Sequence, residues 1–228
     1  ILIERTLPHS VMVNKFGKRF CNEATNYSAL AGAFHFFDPN EYGYPNLPSW
    51  IIFDSTYRDK YPFANVMPGS ENPDWLKNSD TLEGLAQELD INSENLIETV
   101  KVFNSYVESG DDIEFSRGKS DYDSFYGDRS KAGVYSTLGK LEKAPYFAAE
   151  INIGALGTNG GAKTDELGRV ISASGNVIEG LYTVGNAMSG STGSVYAGAG
   201  GTLGPALTYG YLAGRHAAGN NYVNKEKV

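Results

Sequence analysis

The sequence predicts an α+β domain over residues 1–158, followed by a strand–loop–helix unit of α/β type over residues 159–228. Two observations support this fold class. Short β-rich segments alternate with apolar residues at helical spacing in the first part of the chain. The last part contains an apolar strand at 181–184, a loop rich in Gly, Ser and Ala, and a helix that begins near Gly204.

Residues 1–30 are predicted to form a strand, a turn and a strand. The apolar run at 1–3 is predicted to be extended. Residues 11–14 and 19–21 are predicted to pair as a hairpin, with Gly17 in the turn between them.

Residues 32–50 are rich in aromatic residues, Pro and Asn, which indicates a loop or a lid over a pocket. A short buried strand is predicted at 50–54. The pair Asp80 and Glu83 is typical of a helix start, and leucines on one face follow it.

A second helix is predicted to begin near Asn92. Its stripe of core residues recurs at helical spacing and comprises Leu96, Val100, Phe103 and Val107. Residues 110–140 have no clear period and are predicted to form an ordered surface excursion. A strand at 147–153 and a turn-rich crossing at 154–161 complete the first part.

The composition is typical of a soluble globular protein, with 41% hydrophobic and 12% aromatic residues. A net charge of −8 and a pI near 4.9 argue against nucleic acid as a partner. The apolar runs are shorter than the ~20 residues of a transmembrane segment. Cys21 is the one cysteine, so neither an intrachain disulfide nor a Cys-based zinc site is expected, and no metal site is predicted. The cytoplasm is the simplest compartment.

The loop before the last helix is the most informative segment of the chain. It contains one tyrosine, Tyr196, among glycines that include Gly193, Gly198, Gly200, Gly201 and Gly204. Glycine permits positive φ and lets the backbone approach a ligand closely. The helix start leaves unpaired N–H groups and a positive dipole end, which suit an electron-rich ring or an oxyanion.

An ordinary βα turn has the same strand–loop–helix pattern, so the loop alone does not distinguish the two interpretations. The helix itself favours a ligand or a close contact. Small residues recur every fourth position, at Ala206, Gly210, Gly214 and Ala218. Glycine inside a helix costs about 1 kcal/mol relative to Ala, which predicts a sheet or a cofactor packed directly on the backbone.

With these motifs the chain resembles the 3-oxosteroid 1-dehydrogenases (3-ketosteroid Δ1-dehydrogenases), within the FAD flavoproteins related to fumarate reductase and succinate dehydrogenase. The resemblance covers nearly the whole chain in order. It rests on GLYTVGNA (180–187), SVYAGAGGTLGPA (194–206), TYGYLAG (208–214), ERTLPHSVMVNKFGKRFCNEATNYS (4–28), PSWIIFDSTYRDKY (48–61), FSRGKSDYDSFYGD (115–128) and PYFAAEINIGALGTNGGAKTDELGRV (145–170).

The resemblance implies FAD as the cofactor. It makes residues 1–158 a catalytic, substrate-capping domain and residues 159–228 the C-terminal part of an α/β FAD-binding domain. The GxGxxG half that binds the ADP portion of FAD does not occur in this sequence. We therefore expect the chain to be a C-terminal fragment that is inactive alone.

The resemblance also assigns site residues. Tyr27 is expected to remove the C2 proton of a 3-oxosteroid, while the Tyr196 hydroxyl and the Gly200 N–H hold the C3 carbonyl and the C1 hydride passes to the flavin. An acceptor such as a quinone would reoxidise the flavin. The residues expected to contact the cofactor are Gly185, Asn186, Gly201, Thr202, Leu203 and Gly204. Without the resemblance, the favoured interpretation of Tyr27 is a buried phenol bonded to a backbone carbonyl.

Two other functions remain open at this stage. Fumarate reductase-like or other ene and enone oxidoreductases share the fold, but the reductases clamp a dicarboxylate with Arg and His. Here the loop has no arginine, and His9, His35 and His216 have no paired spacing and are expected to be structural. This favours an uncharged, apolar ketone, with the aromatic segment 34–44 as a pocket wall. The other alternative is a non-catalytic module that binds a ligand or a partner.

Overall fold

The computed structural model describes residues 1–190, 193, 196 and 198–219. The chain divides into two compact units, one over Ile1–Ile153 and one that begins at Gly154. The functional division predicted after residue 158 stays a prediction.

The first unit is built on a four-stranded antiparallel sheet in the order β1-β2-β4-β3. In the centre of the sheet Met12 lies opposite Ile51, and Ile51 lies opposite Ala149. Both β1 and β2 are buried along their whole length, which is why their sequences are mainly apolar. The strands are β1 (Ser10–Asn14), β2 (Ser49–Phe53), β3 (Lys77–Ser79) and β4 (Tyr146–Ile151).

Five helices belong to this unit, and short 3-10 turns lie at Glu4–Thr6 and Gly133–Ser136. The helices within the described residues are α1 (Tyr27–Phe34), α2 (Ser55–Lys60), α3 (Leu82–Glu88), α4 (Ser93–Ser109) and α5 (Asp121–Phe125).

Each face of the sheet supports its own apolar cluster, because successive side chains of a strand point to opposite faces. Val11, Val13 and Ile52 pack in the cluster that contains the buried stripe of α4. Met12 and Ile51 pack in the other cluster, with residues of α1 and α2.

The helix predicted near Asn92 is confirmed. The Asn92 side chain accepts the Asn95 N–H at 2.8 Å as an N-cap. The helix ends at Gly110, whose φ of +68° gives the left-handed C-terminal cap that glycine favours. All four residues of the predicted stripe are buried.

Two predictions for the first 30 residues are wrong. Residues 1–3 are exposed and lead into a 3-10 turn instead of forming a strand. The turn at Gly17 is present, with the Asn14 N–H donating to Lys18 O at 2.9 Å. However, the second arm of the predicted hairpin is only a bridge between Val13 and Arg19, because β1 forms its ladder with β2.

Further differences concern helices and burial. Residues 27–34 form α1, where a strand and then a loop were predicted. Thr81, not Asp80, caps α3 by accepting the Gly84 N–H at 3.0 Å. The segment 110–140 is not simply a surface excursion, because Asp112, Arg117 and Asp123 are buried in it.

The second unit has the predicted strand–loop–helix order. A two-stranded antiparallel sheet of β5 (Arg169–Ile171) and β6 (Val177–Tyr182) precedes a 3-10 turn at Gly185–Ala187, and α6 (Leu203–Ala217) follows. The strand ends two residues before the predicted end at 184, and the helix begins one residue before Gly204. Among the described residues, no helix combines the length and the apolar character needed to cross a bilayer.

Candidate functional site

The loop before α6 has a backbone that only glycine adopts readily. Gly198 and Gly200 have φ values of +110° and +85°. Among the described residues, no atom lies within 4 Å of the position that a Cβ would take at Gly198, Gly200 or Gly204. No described residue therefore blocks the close approach of a ligand to the main chain at these three positions.

The start of α6 leaves hydrogen-bond donors available. Thr202 precedes the helix, and its side chain makes no capping hydrogen bond. The Gly204 N–H donates to Gly200 O at 2.8 Å, whereas the Gly200 N–H donates to no acceptor among the described residues. An N–H near the positive end of a helix dipole suits an oxyanion or an electron-rich ring.

The 3-10 turn that carries Gly185 and Asn186 is packed against this helix start. Gly185 has a φ of +62°, and a Cβ there would lie 3.1 Å from the Ala206 Cβ. The Asn186 carbonyl accepts the Gly160 N–H at 3.1 Å. The second unit thus brings Gly185 and Asn186 next to the first turns of α6. The other residues predicted to contact the cofactor, Gly201, Thr202, Leu203 and Gly204, lie at or just before the start of the same helix.

One face of α6 is apolar and exposed. Leu203, Leu207 and Tyr211 recur every fourth residue and are 68%, 72% and 61% exposed. At Gly210 and Gly214, no described atom lies within 4 Å of the position that a Cβ would take, so the predicted packing on this backbone is not made by the described chain. Ala206 is the exception, because it contacts Gly185.

The two tyrosines predicted to act on substrate lie in different units. Tyr196, in the second unit, is 40% exposed, and Ser191, Thr192, Ser194, Val195 and Ala197 around it lie outside the described residues. Tyr27, in the first unit, is the first residue of α1 and is 38% exposed. This exposure contradicts the burial that the alternative interpretation of Tyr27 predicts.

The turn that precedes Tyr27 is held by a buried guanidinium and by an exposed N-cap. The Arg5 guanidinium donates from Nη1 to the carbonyl oxygen of Glu23 and, at 2.7 Å, to that of Thr25. Asn26 caps α1 by accepting the Ala29 N–H at 2.9 Å. These contacts set the direction in which the main chain enters α1.

A buried ionic cluster lies beneath this turn, and sequence reasoning did not predict it. The Glu23 carboxylate accepts hydrogen bonds from Arg19 Nε and Nη2, both at 2.8 Å, from Arg117 Nη1 at 3.0 Å and from the Met12 N–H at 3.1 Å. Arg19 also donates to both oxygens of Asp112, at 2.9 and 2.7 Å. Each of these ionic side chains is buried.

The charges of the cluster stabilise one another. Burial alone raises the pKa of Glu23, but the opposing effect of Arg19 and Arg117 is larger, so this pKa lies below its ordinary value. Burial likewise raises the pKa of Asp112, and hydrogen bonds from Arg19 and from backbone N–H groups bring it below the ordinary value. Both carboxylates are therefore ionised at neutral pH.

The aromatic segment 34–44, predicted to line a pocket, is exposed at Phe36, Phe37, Tyr42 and Tyr44, whereas Phe34 is buried in the core of the first unit. Phe37 makes edge contacts with Tyr42 and Tyr44, with ring centroids 5.4 and 5.6 Å apart. Its assignment as a pocket wall stays a prediction.

The histidines have local partners. The Nδ1 atom of His216 lies 2.8 Å from the Tyr182 hydroxyl, and that of His9 lies 2.7 Å from Lys140 O. In the described part of the chain, no group of three or more His, Cys, Asp or Glu side chains is arranged to hold a metal ion.

Comparison with known proteins identifies the family. The family model described as "FAD binding domain" matches residues 1–203. The chain belongs to this family. FAD is accordingly the cofactor, as the sequence predicted.

Two curated relatives are each 42% identical to the chain. One is the 4-oxocyclohexanecarboxylate 2-dehydrogenase of Sinomonas cyclohexanicum, matched over 95% of this chain and 38% of the relative. The other is the 3-oxosteroid 1-dehydrogenase of Mycolicibacterium smegmatis, matched over 93% of this chain and 38% of the relative. The chain thus spans about two fifths of the length of these relatives, and the predicted resemblance to 3-oxosteroid 1-dehydrogenases is confirmed.

Solved structures agree with these relatives. The 3-ketosteroid Δ1-dehydrogenase of Sterolibacterium denitrificans, in complex with 1,4-androstadiene-3,17-dione, has a TM-score of 0.86 and 37% identity, over 97% of this chain and 40% of that one. The open conformation of a flavocytochrome c3 fumarate reductase has a TM-score of 0.61 and 26% identity, over 96% of this chain and 33% of that one. The fold is therefore that of the fumarate reductase-like FAD-binding proteins.

The residues of the second unit fit this cofactor. A flat isoalloxazine ring needs a main-chain surface without side chains, and Gly198, Gly200 and Gly204 provide one. Its electron-rich edge needs donors, and in the described part of the chain the Thr202 and Leu203 N–H groups have no backbone acceptor. The apolar stripe of α6 is a further surface that a large ligand or a neighbouring segment would cover.

Proposed function

We propose that this chain provides the substrate-capping and C-terminal flavin-binding parts of an FAD-dependent dehydrogenase that introduces a double bond beside a ring ketone, with a 3-oxosteroid as the substrate. The observation that carries the proposal is the open glycine backbone before α6, with Tyr196 and the Gly200 N–H in it. The family and the similarity to steroid dehydrogenases support the same reaction.

The names of the two relatives describe a common chemistry. A 3-oxosteroid 1-dehydrogenase forms the C1–C2 double bond next to C3=O, and a 4-oxocyclohexanecarboxylate 2-dehydrogenase forms the C2–C3 double bond next to C4=O. Both names specify α,β-dehydrogenation of a six-membered ring ketone. Both relatives thus support a ring ketone as the reacting group of the substrate, and only the 3-oxosteroid 1-dehydrogenase supports a steroid skeleton.

In this reaction Tyr196 and Gly200 hold the ketone oxygen. Loss of the α-proton moves negative charge onto that oxygen, so donors aimed at it stabilise the transition state more than the ground state. The Gly200 N–H is suited to this role because it has no backbone acceptor among the described residues. One such donor is worth about 3 kcal/mol of activation free energy.

Tyr27 is the proposed base for the α-proton. Its partial exposure at the start of α1 is compatible with contact with a substrate, which a buried phenol would not allow. When bound, FAD accepts the hydride that leaves the β-carbon. The turns at Gly185–Asn186 and Gly201–Gly204 are the proposed contacts of this chain with the cofactor.

The remaining assignments belong to the same proposal. Residues 1–158 form the capping domain, and residues 159–228 form part of the FAD-binding domain. A quinone or a similar carrier receives the electrons, and the reaction takes place in the cytoplasm or at a membrane surface. A dicarboxylate substrate is less well supported, because the sequence of the glycine loop contains no arginine.

The test is a single-turnover experiment with the FAD-loaded protein in which this chain is joined to the GxGxxG half of the family fold, because the chain alone is expected to be inactive. Under anaerobic conditions a 3-oxo-4-ene steroid is expected to bleach the oxidised flavin band and to yield a 1,4-diene. The same experiment with 4-oxocyclohexanecarboxylate distinguishes the two ring ketones. If only this acid bleaches the flavin, the substrate is a small ring ketone and not a steroid. If neither compound bleaches the flavin, the proposed reaction is contradicted.

Tyr196→Phe is the matched variant, because it removes the hydroxyl and keeps the ring. We expect flavin reduction to slow by about 100-fold or more while the FAD content stays unchanged. Reduction at the rate of the unmodified protein would remove Tyr196 from the mechanism.

A further inference from the structure

We propose that Arg5 is a positioning residue for Tyr27, because its guanidinium fixes the turn from which Tyr27 enters α1. The inference rests on the proposed function, since it depends on the role of Tyr27 as the base. Arg5 itself is not assigned any contact with substrate.

The geometry places Arg5 at the main chain just before Tyr27. Arg5 is buried in the 3-10 turn Glu4–Thr6, and its Nη1 donates to the carbonyl oxygens of Glu23 and Thr25. These carbonyls lie four and two residues before Tyr27. One guanidinium group therefore holds both ends of the segment 23–25, and the next residue, Asn26, is the N-cap of α1.

The contribution of Arg5 is to the main chain and not to charge neutralisation. The Glu23 carboxylate receives its four hydrogen bonds from Arg19, Arg117 and the Met12 N–H, and none from Arg5. Among the described residues, Arg5 forms no ion pair with a carboxylate. Its Nη2 is buried without a hydrogen-bond partner among them.

Such an arrangement is costly for stability. A buried cation without a paired anion loses hydration that two carbonyl acceptors replace only in part. An apolar side chain of similar size would fill the same space without this cost. Packing alone therefore does not explain a guanidinium at this position, whereas fixing the turn before Tyr27 does.

A second set of contacts completes the frame around the turn. Asn22 Nδ2 donates to Asp123 Oδ2 at 2.9 Å, and the Thr6 hydroxyl donates to Tyr126 O at 2.7 Å. Both the turn at 22–26 and the 3-10 turn that carries Arg5 are thus tied to the segment around α5. Arg5 joins these two turns directly, so its loss leaves Thr25 O without its partner while the rest of the frame remains.

The test compares Arg5→Met with Arg58→Met in the FAD-loaded protein that also contains the GxGxxG half of the family fold, with a 3-oxosteroid as the substrate. Arg58 is a matched control, since it is also buried in the first unit and donates to two backbone carbonyls, Met67 O at 2.7 Å and Ser70 O at 2.6 Å. We expect Arg5→Met to lower kcat by about 10- to 100-fold, because small misplacements of a reacting group have effects of this size. The KM and the FAD content of Arg5→Met should stay within about twofold of those of the unmodified protein. The kcat of Arg58→Met should equal that of the unmodified protein. Equal losses of kcat in both variants would overturn the inference.

Arg5→Lys provides a second readout that does not depend on whether the fold tolerates an apolar side chain at position 5. Lysine can donate to one of the two carbonyls, so part of the lost kcat should return. With substrate deuterated at the α-carbon, the kinetic isotope effect on kcat should rise in Arg5→Lys, because proton removal becomes more rate-limiting when the base is misplaced. An unchanged isotope effect would overturn the inference.

A double-mutant cycle with Tyr27→Phe distinguishes this inference from the proposed function. If Arg5 acts through Tyr27, Arg5→Met should change kcat by less than about twofold in the Tyr27→Phe background. An unimpaired Tyr27→Phe would overturn the role of Tyr27 and this inference with it. A slow Tyr27→Phe beside an unimpaired Arg5→Met would overturn this inference alone.

Discussion

At the scale of single residues, Glu23 joins Arg19 and Arg117 in the buried ionic cluster of the first unit. Its carboxylate is fully buried and accepts four hydrogen bonds, two of them from one arginine in bidentate geometry. A buried ion pair of this kind contributes little when compared with an apolar replacement, but removing one partner leaves a buried charge unpaired.

The lowered pKa values of Glu23 and Asp112 predict acid sensitivity. In the unfolded chain these groups titrate near pH 4, and in the folded chain they titrate at lower pH. Their stabilisation is therefore complete above about pH 4 to 5 and is lost as the pH falls through the folded values. Urea unfolding between pH 7 and pH 3 is expected to show this loss. Trp50 and Trp75, both in the first unit, provide the fluorescence signal.

Glu23→Gln should lower the free energy of unfolding at pH 7 by about 3 kcal/mol or more. The variant should also lose less stability on acidification, because one titrating group is gone. Glu98→Gln is the control, since Glu98 forms an exposed pair with Lys101 and should change stability by less than about 0.5 kcal/mol. Equal effects of the two substitutions would contradict the importance of the buried cluster.

At the level of elements, the turn at Gly185–Ala187 depends on the absence of a side chain at Gly161. A Cβ at Gly161 would lie 1.8 Å from the Ala187 carbonyl oxygen, which is a backbone atom that cannot rotate away. Ala162 and Met188 form a parallel bridge beside this contact. The segment at 160–162 therefore fixes the turn that carries Gly185 and Asn186.

Gly161→Ala should displace that turn and lower the FAD content of the purified protein. The associated loss of stability should be about 1–3 kcal/mol, as for other overpacked sites. The ratio of flavin to protein absorbance after desalting measures the effect. Gly154→Ala is the control, because no described atom lies within 4 Å of its Cβ position and its φ is not in the left-handed region. Full FAD content in Gly161→Ala would contradict the assignment of this turn to the cofactor.

Helix α6 allows a test of where the cofactor lies. Gly204 and Gly214 both have open space at the Cβ position, so alanine at either one meets no described protein atom. The two positions are about 15 Å apart along the helix. We expect Gly204→Ala to weaken FAD binding by about 10-fold or more and Gly214→Ala to leave it unchanged, as measured by flavin fluorescence titration. Equal FAD affinity in both variants would exclude Gly204 as a close contact.

At the level of the whole molecule, the two units differ in how much apolar surface they bury. The first unit has a core on both faces of its sheet. In the described part of the second unit the buried apolar residues are Val170, Met188 and Ala213, whereas the apolar stripe of α6 is exposed. The second unit therefore depends on a covering surface for its stability, and FAD together with the remainder of the family fold is the surface we propose.

This difference predicts unequal protection in hydrogen exchange. In the 228-residue chain, amides of β1, β2 and β4 should exchange slowly, and amides of β6 and α6 should exchange faster by at least about 100-fold. Mass spectrometry of peptic peptides measures both sets in one sample. Similar protection of α6 and β2 would contradict the dependence of the second unit on a covering surface.

The sequence alone determined the features that depend on neighbours in the chain. The stripe of α4 follows from helical periodicity, and the order of strand, glycine loop and helix follows from residues within 181–206. The flavin family and its predicted residues follow from motifs of the same local kind. Each of these features is recognised from short runs of neighbouring residues, without knowledge of the fold.

Only the tertiary structure decided which distant residues meet. Arg19 and Asp112 are 93 positions apart, and Glu23 and Arg117 are 94 apart, so no periodicity relates them. The placement of Arg5 against Glu23 O and Thr25 O depends in the same way on how the 3-10 turn folds back onto the chain. Local motifs predicted the chemistry that we propose for this sequence. Long-range packing, which exists only in the folded chain, determined which side chain holds the turn before Tyr27.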